Sequence, residues 1–330
     1  MNPFITVGEL AEHLQCPMLG DRDKKIFGIS LYQESDTDLL TYVPYDKISK
    51  IVEIKAGAFL TKASIGLPLH RNYIVTRKEP YTVLAQTIQF MIDKQLYKVP
   101  SQEPPQISEQ CKIGQYVSVG NGSVVQAGTV LAHGVVIGEN VRIGENCEIG
   151  ANTVIGSGTV IGDHTVIGAC CNIGTENFEY EQTETEWIKI PVVGKVSIGS
   201  NVRIGGNVVI EKGTIGTTAI GSHTQIENLV QIGHEVKIGQ HCHIVACVGI
   251  AGWAEIGDHV TIYGQAAVGN HVKVGDHSVL LARSGVDKNI DGSQIVSGFP
   301  AREHQKEMRF QAFLRRLYKS KLENKGSEKR

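Results

Sequence analysis

The sequence predicts a mainly β protein: a parallel β-helix, preceded by an α/β unit and followed by a helix. An aliphatic residue returns every six positions from Ile107 to Val286, usually followed by Gly, in twenty-seven hexads over two blocks. At three hexads per turn these make about nine to ten coils, each with three short flat faces. Residues 1–100 carry no hexad and read as a compact α/β unit. After Val286 the hexad decays, and a charged amphipathic stretch runs to the end.

In the N-terminal unit a capped helix is expected from Thr6 to Gln15 and another from Pro80 to about Leu96, with strands at Lys25–Ile29, Ala58–Thr61 and Tyr73–Thr76. The Pro-rich "VPSQEPPQ" at 99–106 marks a boundary, and the β-helix occupies 107–296. Within each hexad the aliphatic residue points inward. A small or β-branched residue four places later, such as Val141, Thr153, Thr159, Val236 or Val260, fills the next corner. The second-place Gly is expected to permit the tight turn, since a Cβ would often clash at the backbone angles needed there. Two interruptions break the prism: residues 174–197, and a four-residue slip between Ile210 and Ile220. Loops inserted into a solenoid tend to sit on its binding face. "SGFPA" at 297–301 turns the chain into a helix over 302–330, with Phe310, Phe313, Leu314 and Leu317 as its apolar stripe. Ten basic residues against four acidic give that segment a charge of +6.

A composition 41% hydrophobic and 20% charged can bury a large core and hold more than one domain. A net charge of −2 gives no reason to expect nucleic acid as the partner. The first twenty residues lack a basic start followed by an apolar run, and no stretch reaches transmembrane length. A cytoplasmic protein with at most peripheral membrane contact is expected. The seven cysteines form an odd set without CxxC pairs, so reduced packing thiols are expected, with neither a disulfide framework nor a zinc ribbon. His223, His241, His259 and His277 recur every eighteen residues, always fourth in the hexad, and form a ladder along one corner. Turn positions are usually exposed, and one ladder does not supply tetrahedral convergence, so solvated histidines are expected and no metal.

Hexads of this form resemble the left-handed parallel β-helix of the hexapeptide acyltransferases. That resemblance implies the left hand, a homotrimer, and active sites in the grooves between neighbours. The segment "IENLVQIGHEVKIGQHCHIVACVGIAGWAEIGDHVTIYGQAAVGNHVKVGD" at 226–276 is similar to the active-site region of the UDP-3-O-(3-hydroxyacyl)glucosamine N-acyltransferases of lipid A assembly. "EPYTVLAQ" at 79–86, "WIKIPVVGKVSIG" at 187–199 and "SGFPA…FLRRL" near the end extend the resemblance over nearly the whole chain. It implies transfer of a 3-hydroxyacyl chain from acyl carrier protein to the amine of a UDP-glucosamine-derived acceptor. No cofactor is implied, because the 4′-phosphopantetheine arm arrives on the carrier. By position the resemblance makes His234 the general base and Glu227 its orienting carboxylate. Gly252 becomes the backbone oxyanion donor, His271 a substrate-positioning histidine and Asn228 an acceptor contact.

Coil arithmetic agrees with this transfer. Gly252 lies eighteen residues after His234 and stacks on the same corner, about 4.8 Å along the axis. His271 lies thirty-seven after His234 and borders that corner about 10 Å away. An attacking amine must lose a proton, which imidazole can take near neutral pH, and the tetrahedral oxyanion needs a donor placed where charge develops.

The chain departs from the family at several positions. The family grips uridine around a T-F-x-x-N-P-K-Y motif; "TYVPYDKI" at 41–48 offers Tyr42 as a stacking surface, but Ile48 stands where Tyr is expected. Asn177 and Glu179 replace glycines in the insertion. Glu227 replaces Asp, Glu235 replaces Asn, and Glu211-Lys212-Gly213 replaces Asp-Arg-Gly. Trp253 occupies a normally small position, where coil periodicity stacks it with Glu235 and His271; the expected roles are a wall of the acyl groove that shortens the accepted chain, a contact to the pantetheine arm, or packing at the surface or in the trimer. On the terminal helix Arg309, Arg315, Arg316 and Lys319 are expected either to dock the acidic carrier or to form the solvated face of a helix packed on the trimer. The rival readings are a paralogue acting on another nucleotide amino sugar, a catalytically silent trimer that retains carrier or nucleotide binding, and a zinc-dependent carbonic anhydrase.

Overall fold

A computed structural model describes residues 3–43, 51–62, 67–68, 70–77, 80–97 and 101–327. The hexads wind into a prism of three parallel faces. The first face has nine strands, from Gln106–Ile107 to Lys273–Val274. The second has eleven, starting at Lys112–Ile113, with a final antiparallel pair formed by Ile295–Ser297 and Arg302–Glu303. The third has nine, from Ser118–Val119 to Gly285–Val286. In the regular coils each strand pairs with the one eighteen residues on, as Ile137 with Ile155 and Ile232 with Ile250.

The inward aliphatic residues stack into one continuous core, in which Ile155, Ile173, Ile210 and Ile232 are all fully buried. Each such burial is worth about 1.5–3 kcal/mol, which is how two-residue strands hold together. Hydroxyl and thiol side chains in the fifth place stitch adjacent coils. Thr129 Oγ1 donates to Gly144 O at 2.9 Å and accepts from Cys147 N–H at 3.0 Å; Cys147 Sγ in turn donates to Gly162 O at 3.2 Å. Cys147, Cys171 and Cys242 are buried in this way, whereas Cys170 and Cys247 sit exposed in fourth places.

The reason for the second-place glycines differs from the expected one. Apart from Gly174 at the start of the insertion, they do not carry the left-handed bend. A Cβ there would strike the next coil: at Gly120 it would lie 2.5 Å from the carbonyl carbon of Gly138. Positive φ falls two places later, at 55° for Asn140, 52° for Asn146 and 57° for Asn152, where Asn tolerates it best among residues with a side chain.

Both interruptions leave the prism from the corner that follows the third face. Ile173 pairs with Ile210, and Ile210 with Ile232, so the insertion, the slip and His234 occupy that corner in successive coils. On the first face Ile161 pairs with Ile198 and Ile198 with Ile220, so the inward register is regained there, after a register shift between Ile173 and Thr175 on the third face. Within the insertion Tyr180–Gln182 and Trp187–Lys189 form an antiparallel hairpin.

The N-terminal unit holds a sheet of five strands in the order Met18–Leu19, Tyr73–Val75, Ala58–Thr61, Leu40–Val43 and Ile29–Ser30. Only Met18–Leu19 runs antiparallel to its neighbour. Helix α1 (Val7–Leu14) begins at a capping box in which Thr6 Oγ1 accepts from Glu9 N–H at 3.1 Å and Glu9 Oε2 accepts from Thr6 N–H at 2.8 Å. Helix α2 spans Pro80–Asp93, short of Leu96. The single strand expected at Lys25–Ile29 is two, Lys25–Ile26 and Ile29–Ser30, on different sheets, and Leu40–Val43 is an unanticipated interior strand. The core under both helices also contains Ile190 of the insertion, 1% exposed, so apolar packing fastens this unit to the irregular corner of the prism. Helix α3 spans His304–Ser327. Among the described residues no helix is long and apolar enough to cross a membrane.

Candidate active site

Three consecutive coils build the site. Ile232, Ile250 and Val268 are buried in the core, so the third and fourth residues of their hexads emerge at one corner: His234 with Glu235, Gly252 with Trp253, and Asn270 with His271. Trp253 N–H donates to His234 O at 2.9 Å, and His271 N–H to Gly252 O at 3.2 Å. The fourth-place residues share the left-handed conformation, with φ of 53° at Glu235, 63° at Trp253 and 58° at His271.

The His234 ring folds over Gly252 so closely that a Cβ there would lie 2.6 Å from Nε2. Nδ1 lies 2.7 Å from Glu235 Oε2. This contact assigns the ring proton to Nδ1 and leaves the Nε2 lone pair facing Gly252. At several other coils the third-place N–H is capped by a side chain from the next coil. Gln240 N–H donates to Asp258 Oδ1 at 2.7 Å, Glu145 N–H to Asp163 Oδ1 at 2.8 Å and Glu139 N–H to Ser157 Oγ at 3.0 Å. Among the described residues nothing accepts from the N–H of Gly252, a buried residue. A general base and a free backbone donor therefore flank one spot, which is what addition to a carbonyl requires.

Three carboxylates surround the imidazole. Glu235, 2% exposed, anchors its other oxygen on the N–H groups of Ile215 at 3.1 Å and Gly216 at 3.2 Å. Glu179 Oε2 lies 3.9 Å from His234 Nδ1 and accepts from Thr214 Oγ1, which itself accepts from Asn177 Nδ2 at 2.6 Å. Glu211 accepts from Gln231 Nε2 at 3.2 Å. Burial raises the pKa of both Glu179 and Glu211. Burial alone would lower that of His234, but the Glu235 hydrogen bond and charge, followed by the charges of Glu179 and Glu211, outweigh it and raise it.

A cavity of about 630 Å³ opens beside this cluster, between Tyr32, Tyr42, Tyr81 and Leu84 of the N-terminal unit and Glu179, Trp253 and His271 of the prism. Trp253 stacks on His271 with centroids 5.8 Å apart and meets His234 edge-on at 6.3 Å. Tyr42, Trp253 and His271 thus line one space, and His234 with Gly252 adjoins it behind Trp253 and Glu179. Ile48 lies outside the described residues.

Glu227 and Asn228 do not join them. Seven residues before His234 is one hexad plus one, which places Glu227 on the corner after the second face. There Glu227 Oε2 accepts from Ala246 N–H at 3.1 Å, and Asn228 Oδ1 from Gly206 N–H at 2.7 Å. The carboxylate on the base within the chain is Glu235, not the expected Glu227. Coil arithmetic placed Glu235 at this corner, but its side chain's fold back onto the neighbouring ring carries no periodic signal. Glu179 reaches the cluster from an insertion that the hexad count does not locate in space.

The four histidines of the ladder stack with centroids 4.8–4.9 Å apart and rings 2° from parallel. Among the described residues no group of three His, Cys, Asp or Glu is placed to hold a metal ion. Arg309, Arg315, Arg316 and Lys319 are exposed on α3, beside Phe313, which is 60% exposed.

The repeat family described as bacterial transferase hexapeptide (six repeats) matches residues 116–148, 140–175 and 217–252, and the hexapeptide repeat of succinyl-transferase matches 195–221. The chain is 43% identical to a UDP-3-O-acylglucosamine N-acyltransferase of Paraburkholderia phymatum, over 95% of this chain and 94% of that one. It is 36% identical to the enzyme of the same name from Wolinella succinogenes, over 94% and 98%. A solved Francisella novicida UDP-N-acetylglucosamine acyltransferase aligns at 27% identity and a TM-score of 0.46, covering 58% of this chain and 67% of that one. With full-length relatives at these identities, and a prism whose corner pairs an imidazole with an unpartnered backbone N–H, the chain belongs to the UDP-3-O-acylglucosamine N-acyltransferase family of hexapeptide-repeat proteins.

Proposed function

We propose that the protein transfers a 3-hydroxyacyl chain from the thioester of acyl carrier protein to the amine of a UDP-glucosamine-derived acceptor in lipid A biosynthesis. The observation that carries this reading is the His234 Nε2 lone pair set against the open N–H of Gly252. The acceptor nitrogen adds to the thioester carbonyl while Nε2 takes its proton. The oxygen gains negative charge beside the Gly252 N–H. Collapse breaks the C–S bond, and the imidazolium returns the proton to the departing thiolate, leaving an amide and a free pantetheine thiol. Glu235 holds the ring in the required tautomer and stabilises the imidazolium. No step needs a covalent enzyme intermediate.

The cavity at Tyr42 and Tyr81 is the acceptor's berth, with aromatic faces for the base and sugar. Glu227 and Asn228, on the adjacent corner, belong to the opposite wall of the groove in a homotrimer. The carrier lands on α3, where Arg309, Arg315, Arg316 and Lys319 present positive charge beside an apolar stripe. The reaction belongs to the cytoplasm, where acyl carriers and nucleotide sugars meet.

The test uses purified protein, acyl carriers of graded chain length and a panel of UDP-amino sugars, with product masses read directly. An N-acylated UDP-glucosamine product is expected. Transfer only to another nucleotide amino sugar would replace the acceptor assignment, and binding without product would make the protein a silent relative. Charge reversal at Arg315 and Arg316 should weaken carrier affinity and flatten its salt dependence, because attraction at such sites is screened over about 8 Å at physiological ionic strength. Unchanged affinity at low salt would remove α3 from the carrier site.

A further inference from the structure

The insertion delivers a carboxylate to the site that acyl transfer does not use. Glu179 precedes the hairpin strand Tyr180–Gln182, and its backbone O accepts from Ile190 N–H at 3.1 Å, beside the residue that fastens the insertion to the N-terminal core. Its side chain, 17% exposed, is fixed by Thr214 and faces the cavity. It does not set the tautomer of His234, because Glu235 already occupies Nδ1 at 2.7 Å against 3.9 Å for Glu179. Nor is it neutralised by the Lys273 that also lines the cavity, whose ammonium pairs with Glu255 at 2.6 Å. His234, Glu235, His271 and Tyr81 are the other titratable groups that act on it or feel its charge, and only the two histidines can become cationic. Three carboxylates around one imidazole leave this corner acidic, and a buried carboxylate is costly without a cation beside it.

We infer that Glu179 is the recognition group for the acceptor's amine: it receives the ammonium and holds the nitrogen beside His234 until a proton is lost. This rests on the cavity being the acceptor site, and it assigns a task to a position where similar sequences are expected to carry glycine.

The experiment measures dissociation constants for UDP-glucosamine and UDP-N-acetylglucosamine, the free and capped amine, with wild type, Glu179→Gln and Glu179→Gly at pH 7. Wild type should favour the free amine by about tenfold, the scale of one charge-assisted hydrogen bond. Both variants should bind the capped nucleotide as wild type does and lose the preference. A preference retained in full by Glu179→Gln overturns the inference alone. Loss of both nucleotides by both variants gives Glu179 a merely structural role and also overturns it. Binding of neither nucleotide by wild type overturns the acceptor site itself, and the inference with it.

Discussion

The corner that follows the third face is bare in its early coils and chemically loaded in its late ones, on one and the same backbone. In the early coils the emerging pairs are Glu139 with Asn140 and Ser157 with Gly158; in the late coils they are His234 with Glu235, Gly252 with Trp253, and Asn270 with His271. The bends match, at φ 55° for Asn140 and 74° for Gly158 against 53° for Glu235 and 63° for Trp253. Asn and Gly adopt that conformation readily, whereas other residues incur roughly 1–2 kcal/mol. The late corner accepts that strain three times, at Glu235, Trp253 and His271, and also leaves the Gly252 N–H uncapped, because the aliphatic core beneath supplies enough stability to tolerate both. The repeat therefore fixes the scaffold at its first, second and fifth places and leaves the third and fourth free for chemistry.

The largest effect should come from exchanging His234, since general-base catalysis contributes about 10²–10⁴-fold. His234→Ala should lower turnover by that factor and leave the coil intact. Glu139→Ala, at the same corner among the bare coils, should leave turnover unchanged. Near-normal turnover in His234→Ala would remove the distinction between the two stretches.

Next is Gly252→Ala. The added Cβ would displace the ring from 2.6 Å and crowd the oxyanion position, with a loss of about 10²–10³ in kcat. Three residues earlier, Gly249 has nothing within 4 Å of a built Cβ, so Gly249→Ala should be silent. Equal effects of the two substitutions would show that the coil, and not the His234 contact, governs the loss.

Glu235→Gln sharpens the comparison through pH. The carboxylate stabilises imidazolium and helps to raise the pKa of His234. The base works in its neutral form, so removing the charge should move the acid limb of kcat/KM to lower pH, with turnover down about tenfold as ring orientation loosens. If the limb stays in place while Glu227→Gln moves it, the orienting carboxylate comes from the other wall of the groove.

Most of the fold was legible because the hexad is a direct record of burial: from Val119 on, every sixth residue of the two blocks meets the same core. The register of the corner was legible for the same reason, which is why His234, Gly252, Trp253 and His271 could be stacked by counting. Counting failed where geometry is not periodic. Resemblance, not counting, assigned Glu227 to the base: seven residues is one face too far within a chain, and it is Glu235 whose side chain folds back to hold the ring. Glu179 reaches the site through the 174–197 insertion, whose path depends on Ile190 entering the core of the N-terminal unit. In that unit short strands are set by long-range pairing, and Leu40–Val43 lies inside the sheet through partners on both sides.

The smallest effect tests the residue least like its counterparts in the bare coils. Trp253 adopts φ 63°, stacks on His271 at 5.8 Å and lines the cavity. Trp253→Gly removes the strain of a side chain in that conformation, which offsets part of the lost stacking, so stability should change by about 1 kcal/mol or less. The change to look for is in selectivity. If the indole closes the acyl groove, each methylene admitted by its removal adds about 0.8 kcal/mol of burial, a factor of about four in kcat/KM. Across a series of acyl chain lengths the variant should favour longer donors than wild type by that step per added carbon. Identical length profiles for the two proteins would show that Trp253 walls the acceptor cavity alone, and would place acyl selection on the opposite side of the groove.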